Sequence, residues 1–136
     1  ESTVVRIDTN NRIEVLRYGS ITVEDLKKFA KVKIKKKSSI SPGNLKKHYS
    51  TIKPIRMNAK KILKDEGLLN FGNNKLKSNI INLNLSNKKN LNEAAKNFYH
   101  ILHKLDQSKC KKIAVAEIPD KGLGKTINDR LRRAIK

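Results

Sequence analysis

The sequence predicts an α/β protein: a small, mainly parallel β-sheet flanked by helices, preceded by a basic linker and by a β-hairpin with a short helix. Two observations predict this class. From residue 55 onward, short apolar and β-branched runs alternate with helical stripes, the pattern of strand-helix-strand units. Before them, two strand-like runs separated by a turn are followed by a stretch rich in Lys, Ser, Pro and Gly without apolar periodicity.

The N-terminal part, residues 1–32, is predicted to form a hairpin and one short helix. Strand signals over 3–8 and 13–17 flank Thr9-Asn10-Asn11, whose side chains suit a turn. An isolated hairpin is only marginally stable in water, so its sheet is expected to be completed by strands outside this sequence. The chain is therefore expected to begin part-way through a fold, as the end of a larger intracellular protein.

The short helix is predicted from a capping box, in which Thr22 is followed three residues later by Asp25. Gly19 interrupts the strand before it. The apolar side chains expected to face inward are those of Val23, Leu26, Phe29 and Ala30.

The middle part, residues 33–54, is predicted to be a basic linker. A lysine run keeps the segment solvated, and Ser41-Pro42-Gly43 opposes regular structure. His48 and Tyr49 stand out, because an imidazole beside a phenol can either anchor the chain or dock into a site, for instance with the phenol against a nucleotide. The residues alone leave both interpretations open.

The C-terminal part, residues 55–136, is predicted to be a small α/β domain of Rossmann-like type. Strands are predicted over 55–58, 67–71, 80–85 and 112–117. A helix capped by Asn90 separates the last two strands, and a second helix is predicted from Lys125 to the end. This order of elements favours a parallel sheet covered by helices.

Both of these helices have a predicted inward face. In the first helix it consists of Leu91, Ala95, Phe98, Leu102 and Leu105. In the second it consists of Ile127, Leu131, Ala134 and Ile135, with the opposite face carrying Asp129, Arg130, Arg132 and Arg133.

The formal net charge of the 136-residue chain is +20, which points toward nucleic acid or another polyanion. Most of this charge is lysine, and abundant Lys, Asn and Ile are also what an AT-rich genome encodes. Composition alone therefore leaves a solvated lysine coat and a real polyanion site equally open. No apolar run approaches the ~20 residues that cross a bilayer, so a cytoplasmic protein with no membrane partner is expected.

Several candidate sites are weak. Gly122-Leu123-Gly124-Lys125-Thr126 looks like a phosphate-binding loop, but Pro119 stands where that motif needs its first glycine, so a tightly packed turn is favoured over an anion site on the amide groups of this turn. His100 and His103 have a zinc-compatible spacing without supporting Cys or carboxylates. The single cysteine, Cys110, is predicted to be a reduced, inert thiol. No catalytic residue and no metal ligand is identified.

Four short motifs, taken together in order, are more informative than any one alone. They are S-T-V-V at 2–5, L-R-x-G at 16–19 followed by I-T, S-P-G-x-x-x-x-H-Y at 41–49, and G-L-G-x-x-I-N-D-R-L-R-R-A at 122–134. The set resembles the two-domain threonylcarbamoyl-AMP synthase family. In that family a YrdC-like catalytic domain is joined by such a linker to a smaller α/β domain. The resemblance implies that 1–32 is a remnant of the catalytic domain and 55–136 the accessory domain.

The resemblance also implies a chemistry, in which L-threonine, bicarbonate and ATP form threonylcarbamoyl-AMP and pyrophosphate, for threonylcarbamoyladenosine modification of tRNA. It implies that Ser2 contacts L-threonine, and that Arg17 and Tyr49 contact ATP. Further linker contacts are implied for Ser41, Gly43 and His48. ATP is a substrate, Mg²⁺ is implied for the intact nucleotidyltransferase, and no cofactor is expected for this chain alone.

The expected partners are the missing N-terminal catalytic half, with ATP and L-threonine in the intact enzyme, and tRNA is a further candidate partner. Departures from the family's pattern stand at Arg6, Tyr18, Asn44 and Ser50-Thr51. Since most of the catalytic sheet is absent, this chain is expected to be inactive alone. Two alternatives stay open: a basic RNA- or tRNA-binding module, and a non-catalytic remnant of a split or decaying gene.

Overall fold

The computed structural model describes residues 2–34 and 51–135. The linker residues named above, Ser41, Gly43, His48 and Tyr49, lie outside the described residues. Among the residues that are described, no helix combines the length and apolar character needed to span a membrane.

The N-terminal unit is a three-stranded sheet with one short helix. Its elements are β1 (Val4–Ile7), β2 (Ile13–Arg17), α1 (Val23–Leu26) and β3 (Val32–Ile34). The order across the sheet is β1-β2-β3, with β1 antiparallel and β3 parallel to β2. The predicted hairpin is confirmed, whereas β3 was not predicted. Three residues are too few for a periodic signal, and this strand exists because β2 offers it a free edge.

The hairpin turn and the cap of α1 form as their side chains predict. In the turn, Asp8 Oδ1 accepts hydrogen bonds from the main-chain N–H of Asn10 at 2.9 Å and of Arg12 at 3.0 Å. At the helix, Thr22 Oγ1 accepts from Asp25 N at 3.2 Å, and Asp25 Oδ2 accepts from Thr22 N at 3.0 Å. These bonds to Thr22 hold the pKa of Asp25 below its usual value.

The predicted inward face of α1 is only partly correct. Val23 is buried, but Phe29 is 84% exposed. The helix ends at Leu26 after a single turn, so Phe29 no longer lies on the same helical face.

The C-terminal unit is a parallel sheet with helices, which confirms the predicted fold class. Its strands are β4 (Ile55–Ala59), β5 (Glu66–Asn70), β6 (Asn82–Asn84) and β7 (Lys112–Ala116). They lie in the order β4-β7-β5-β6, and every pairing is parallel. The helices are α2 (Leu91–Asp106) and α3 (Leu123–Ala134).

The core lies between this sheet and the two helices. Helix α2 is capped by Asn90, whose side chain accepts from Glu93 N at 2.9 Å, as predicted. Its fully buried residues are Ala94, Phe98, Leu102 and Leu105, so Ala94 occupies the position expected for Ala95. From α3 the buried apolar residues are Ile127, Leu131 and Ala134.

The predicted faces of α3 are only partly correct, since the side chains of Asp129 and Arg133, expected outward, are only 15% and 12% exposed. Arg130, expected on the outer face, is only 6% exposed, and its guanidinium carbon lies 5.5 Å from the ring centroid of Tyr99 on α2. Ile135, expected inward, is 37% exposed because it follows the last helical residue in an extended conformation. The surface of α3 that contacts α2 therefore extends beyond the apolar residues of α3 and includes Arg130.

The residues just before β4 are fastened to the end of α2. The carboxylate of Asp106 accepts from Ile52 N at 3.1 Å and from Lys53 N at 3.0 Å. Lys53 Nζ donates to the carbonyl of Leu105 at 3.1 Å and to that of Ser108. A cation at a helix C-terminus satisfies carbonyls that have no partner inside the helix.

Candidate functional site

Ser2 and Arg17, the two described residues expected to contact substrate, lie side by side at one end of the hairpin. Val4 pairs with Arg17 across β1 and β2, which brings the start of the chain beside the end of β2. Arg17 Nε donates to the main-chain carbonyl of Ser2 at 3.1 Å. Ser2 is exposed and Arg17 is half-buried. The main chain of Ser2 thus lies beside the guanidinium of Arg17 at one end of the hairpin.

Thr3 holds this end of the hairpin in place from the other side. Its Oγ1 donates to the carbonyl of Ile21 at 2.7 Å and accepts from Ile21 N at 3.1 Å. The main chain of Ser2 and Thr3 is therefore tied both to the end of β2 and to the loop that follows it. In general, a serine hydroxyl can hydrogen-bond a small polar ligand, and a guanidinium can bind an oxyanion.

The same end of the N-terminal unit docks on α3. Thr126 Oγ1 donates to the carbonyl of Gly19 at 2.7 Å in a buried position. The main-chain N–H of Gly122 donates to the Glu24 carboxylate, at 3.2 Å to Oε1 and 3.1 Å to Oε2. We call these contacts the α3 joint. It fixes the hairpin, and with it Ser2 and Arg17, to the C-terminal unit.

The glycine-rich turn before α3 is a tight packing turn, as predicted. A Cβ placed on Gly124 would lie 1.8 Å from the carbonyl oxygen of Pro119, so only glycine fits there. Gly122 has a φ of +51°, in the region that favours glycine. Helix N-termini bind anions in general, and at the start of α3 the anion is the Glu24 carboxylate of this same chain.

Tyr18 lies beside the joint among acidic groups. Burial, Asp129 and Asp120 raise the pKa of its phenol. Burial also raises the pKa of Asp129, although Arg133 lies 3.1 Å away and opposes the shift. The hairpin and α3 therefore share a partly desolvated contact.

The joint residues were not identified from the sequence. From the sequence, Glu24 is interpreted only as a residue in the first turn of a helix and Thr126 only as part of a glycine-rich loop. Tyr18 is interpreted only as a departure from a family motif. Their partners lie about a hundred residues away along the chain, with separations of 98 for Glu24 and 107 for Thr126. No local pattern encodes contacts of that separation.

The other residues considered as candidates from the sequence are two histidines of α2 and the single cysteine. His100 and His103 are both exposed on α2. Within 2–34 and 51–135, no group of three or more His, Cys, Asp or Glu side chains is placed to hold a metal ion. Cys110 is a buried free thiol, with Sγ 3.1 Å from Ser108 Oγ and 3.6 Å from the carbonyl of Leu105. Its burial agrees with the predicted inert role.

Two comparisons with known proteins find matches. A family model described as "Threonylcarbamoyl-AMP synthase, C-terminal domain" matches residues 21–135. The chain is also similar to the structure titled "Crystal structure of P. abyssi Sua5 complexed with L-threonine", with a TM-score of 0.73 and 20% identity. That alignment covers 98% of this chain and 45% of the other, so the chain spans less than half of its length. A search of curated proteins found no match.

Proposed function

Because this chain belongs to the threonylcarbamoyl-AMP synthase C-terminal domain family, we propose that it acts as the C-terminal portion of such a synthase. The proposed reaction joins L-threonine, bicarbonate and ATP to give threonylcarbamoyl-AMP and pyrophosphate, which supplies the threonylcarbamoyladenosine modification of tRNA. The family match over 21–135 carries this proposal. The resemblance first recognised from the four motifs is confirmed at the level of the family.

In this proposal, the hairpin end supplies two substrate contacts. Ser2 binds L-threonine through its hydroxyl, and Arg17 binds phosphate oxygens of ATP with its planar guanidinium. The 3.1 Å bond from Arg17 Nε to the carbonyl of Ser2 supports this, since it places the two residues next to each other. Tyr49 of the linker is proposed as a further ATP contact, and Ser41, Gly43 and His48 as further linker contacts.

We further propose that the chain alone does not form the adenylate. The N-terminal unit exposes several large apolar side chains, which are those of Val5, Ile7, Ile21 and Phe29. Where such side chains form one contiguous patch, another chain segment or protein usually covers it. The proposed partner is the rest of a YrdC-like catalytic domain, packed against this unit and completing the pocket around Ser2 and Arg17.

The test is an assay of threonine-dependent pyrophosphate release from ATP. The chain alone is expected to give none, and addition of the N-terminal catalytic portion of a family member as a separate polypeptide is expected to give activity. An R17Q variant of this chain should abolish the gain. The matched control is R12Q, because Arg12 is an exposed arginine in the hairpin turn.

Each part of the proposal would be contradicted by a different result. Release by the purified chain alone would contradict the need for a partner. If the separate polypeptide binds this chain without gaining activity, the proposed substrate contacts are wrong. If R17Q and R12Q reduce the gain equally, Arg17 has no specific role.

A further inference from the structure

An open cleft lies at the carboxyl ends of three strands of the C-terminal sheet. Its volume is about 770 Å³, within the range of roughly 300–1,000 Å³ that is usual for small-molecule sites. Its walls are residues 59–62 after β4, the loop 71–77 after β5 and residues 116–119 after β7, with Lys89 at one side. We call it the strand-end cleft.

The topology of the sheet makes this position favourable for a ligand. Strands β5 and β7 are neighbours, but the chain leaves them in opposite directions. From β5 it continues to β6 at one edge of the sheet, and from β7 it continues to α3, which packs against β4 at the other edge. Such a divergence leaves a crevice between the two strand ends, and open parallel sheets bind ligands there.

The rim of the cleft is strongly basic. Its lysines are Lys60, Lys61, Lys75, Lys77 and Lys89, and its one acidic lining residue is Glu117. Lys60 Nζ forms an ion pair with Glu117 Oε2 at 2.6 Å, so the rim keeps a positive excess after this pair is counted. Several ammonium groups around one concave surface attract phosphate groups in particular.

The lining residues of the cleft other than the rim are mostly apolar, and we call them its floor. The side chains that form it are those of Ala59, Ile62, Phe71, Leu76, Ala116 and Pro119. A surface selected only for a nucleic-acid backbone has no need of such a floor, whereas a ligand with a ring and attached phosphates uses both the floor and the rim.

The walls of the cleft are held by internal contacts. Asn70 and Asn74 exchange two side-chain hydrogen bonds, at 3.0 and 2.8 Å, and Asn74 Oδ1 also accepts from Leu76 N at 3.0 Å. The side chain of Lys89 crosses directly over Gly72, because a Cβ on that glycine would lie 2.8 Å from two carbons of the lysine. A glycine at this point lets one of the rim lysines lie across the loop.

We propose that the strand-end cleft binds a nucleotide-class ligand. Four features support this proposal: the position at diverging strand ends, the basic rim, the apolar floor and the internal hydrogen bonds of the loop 71–77. The chemistry recognised is one or more phosphates attached to a flat, weakly polar ring. The ring packs on the floor and the phosphates contact the lysines of the 71–77 loop. This site is separate from the hairpin end and does not depend on the proposed synthase function.

The test uses ADP as the probe, titrated into the full chain and followed by two-dimensional NMR and calorimetry. Inorganic pyrophosphate and adenosine are titrated separately to measure the contribution of each half. ADP is expected to bind more tightly than either and to shift the amide signals of residues 59–62, 71–77 and 116–119. A K75Q/K77Q variant should weaken ADP binding by at least about tenfold, since each lost contact to a charged group is substantial.

Two variants make the result specific. K96Q/K104Q removes two exposed lysines from α2, outside the cleft, and is expected to leave ADP affinity within about twofold. R17Q removes the proposed ATP contact of the hairpin end and should also leave the cleft signals unchanged. Lys75 and Lys77 are exposed, so K75Q/K77Q is expected to fold normally, and its NMR spectrum checks this directly.

Three results would overturn the proposal. One is ADP binding that R17Q abolishes and K75Q/K77Q does not, which assigns the binding to the hairpin end. Another is equal weakening by K75Q/K77Q and K96Q/K104Q, which indicates diffuse attraction. The third is binding of a short single-stranded RNA with a steep salt dependence and no binding of ADP, which assigns the surface to RNA.

Discussion

The carboxylate of Glu24 accepts hydrogen bonds from the main-chain N–H of Gly122, at 3.1 and 3.2 Å, and so joins α1 to the start of α3. The first N–H groups of a helix have no partner within the helix and carry positive partial charge. A carboxylate accepts a hydrogen bond from such an N–H group and also carries a charge of the opposite sign. The N-terminal unit is therefore attached to the C-terminal unit at a point where a negative group is stabilising.

Replacing Glu24 with Ala is expected to lower the free energy of unfolding by about 1 kcal/mol, the usual contribution of a carboxylate at a helix start. Hydrogen exchange should become faster at the first-turn amides of α3. The measurements are urea denaturation and amide exchange. E93A is the control for the exchange readout, since it removes a first-turn carboxylate from α2 instead and should leave exchange at the start of α3 unchanged. Unchanged exchange at Gly122 in E24A would contradict the role assigned to this contact.

Replacing Thr126 with Val should destabilise the joint more than replacing it with Ser. Thr126 Oγ1 donates to the buried carbonyl of Gly19 at 2.7 Å, and Val has the same shape without the donor. A buried carbonyl left without its partner costs about 1–3 kcal/mol. The measurement is the denaturation midpoint of T126V, with T126S keeping the hydroxyl as the control. Equal midpoints for the two variants would show that the bond contributes little.

Gly124 should tolerate Ala far less well than Gly122 does. A Cβ at Gly124 would lie 1.8 Å from the carbonyl oxygen of Pro119, so the turn must move, at a cost of about 3 kcal/mol or more. A Cβ at Gly122 meets open space, but the backbone there, with φ +51° and ψ −133°, is sparsely populated by residues other than glycine and opposes the change by about 1–3 kcal/mol. Thermal unfolding of G124A and G122A compares the two. The prediction is wrong if G122A is the less stable variant.

Glu66 is expected to make folding stability depend on acid pH. Arg56 binds its carboxylate through two bonds, Nε to Oε2 at 2.9 Å and Nη2 to Oε1 at 2.7 Å, and the Glu66 side chain is only 2% exposed. These bonds from Arg56 hold the pKa of Glu66 below its usual value. A lowered folded-state pKa contributes stability above the unfolded-chain value of about 4.3, and this stability is lost as the pH falls through the folded-state pKa.

E66Q removes this dependence. The variant should be less stable at pH 7, by about 1.5–3 kcal/mol, and its stability should fall less steeply than that of the unaltered chain below pH ~4.3. Chemical denaturation across pH 3 to 7 measures both effects. E117Q is the control, because the Glu117 pair with Lys60 is exposed and should contribute little. An equal change of slope in E117Q would contradict the assignment to Glu66.

Elements with a strong local signal were predicted closely. The β2 strand, the Thr22 capping box and the Asn90 cap of α2 depend on neighbouring residues, and all three are confirmed. Errors arose where distant contacts override the local pattern. Arg130 lies on the polar side of its helix by sequence, yet it is buried because Tyr99 of α2 lies against it. β3 forms because β2 supplies hydrogen-bonding partners along its open edge.

The sequence by itself determined the family, the α/β class and the caps and turns, because these depend on residue types at short spacing. Tertiary structure alone decided the strand order β4-β7-β5-β6, the approach of Ser2 to Arg17, the contact of Glu24 with Gly122 and the gathering of lysines around the strand-end cleft. Each of these brings together residues that are distant along the chain. Such contacts are set by how the whole core packs, and no short segment of sequence encodes them.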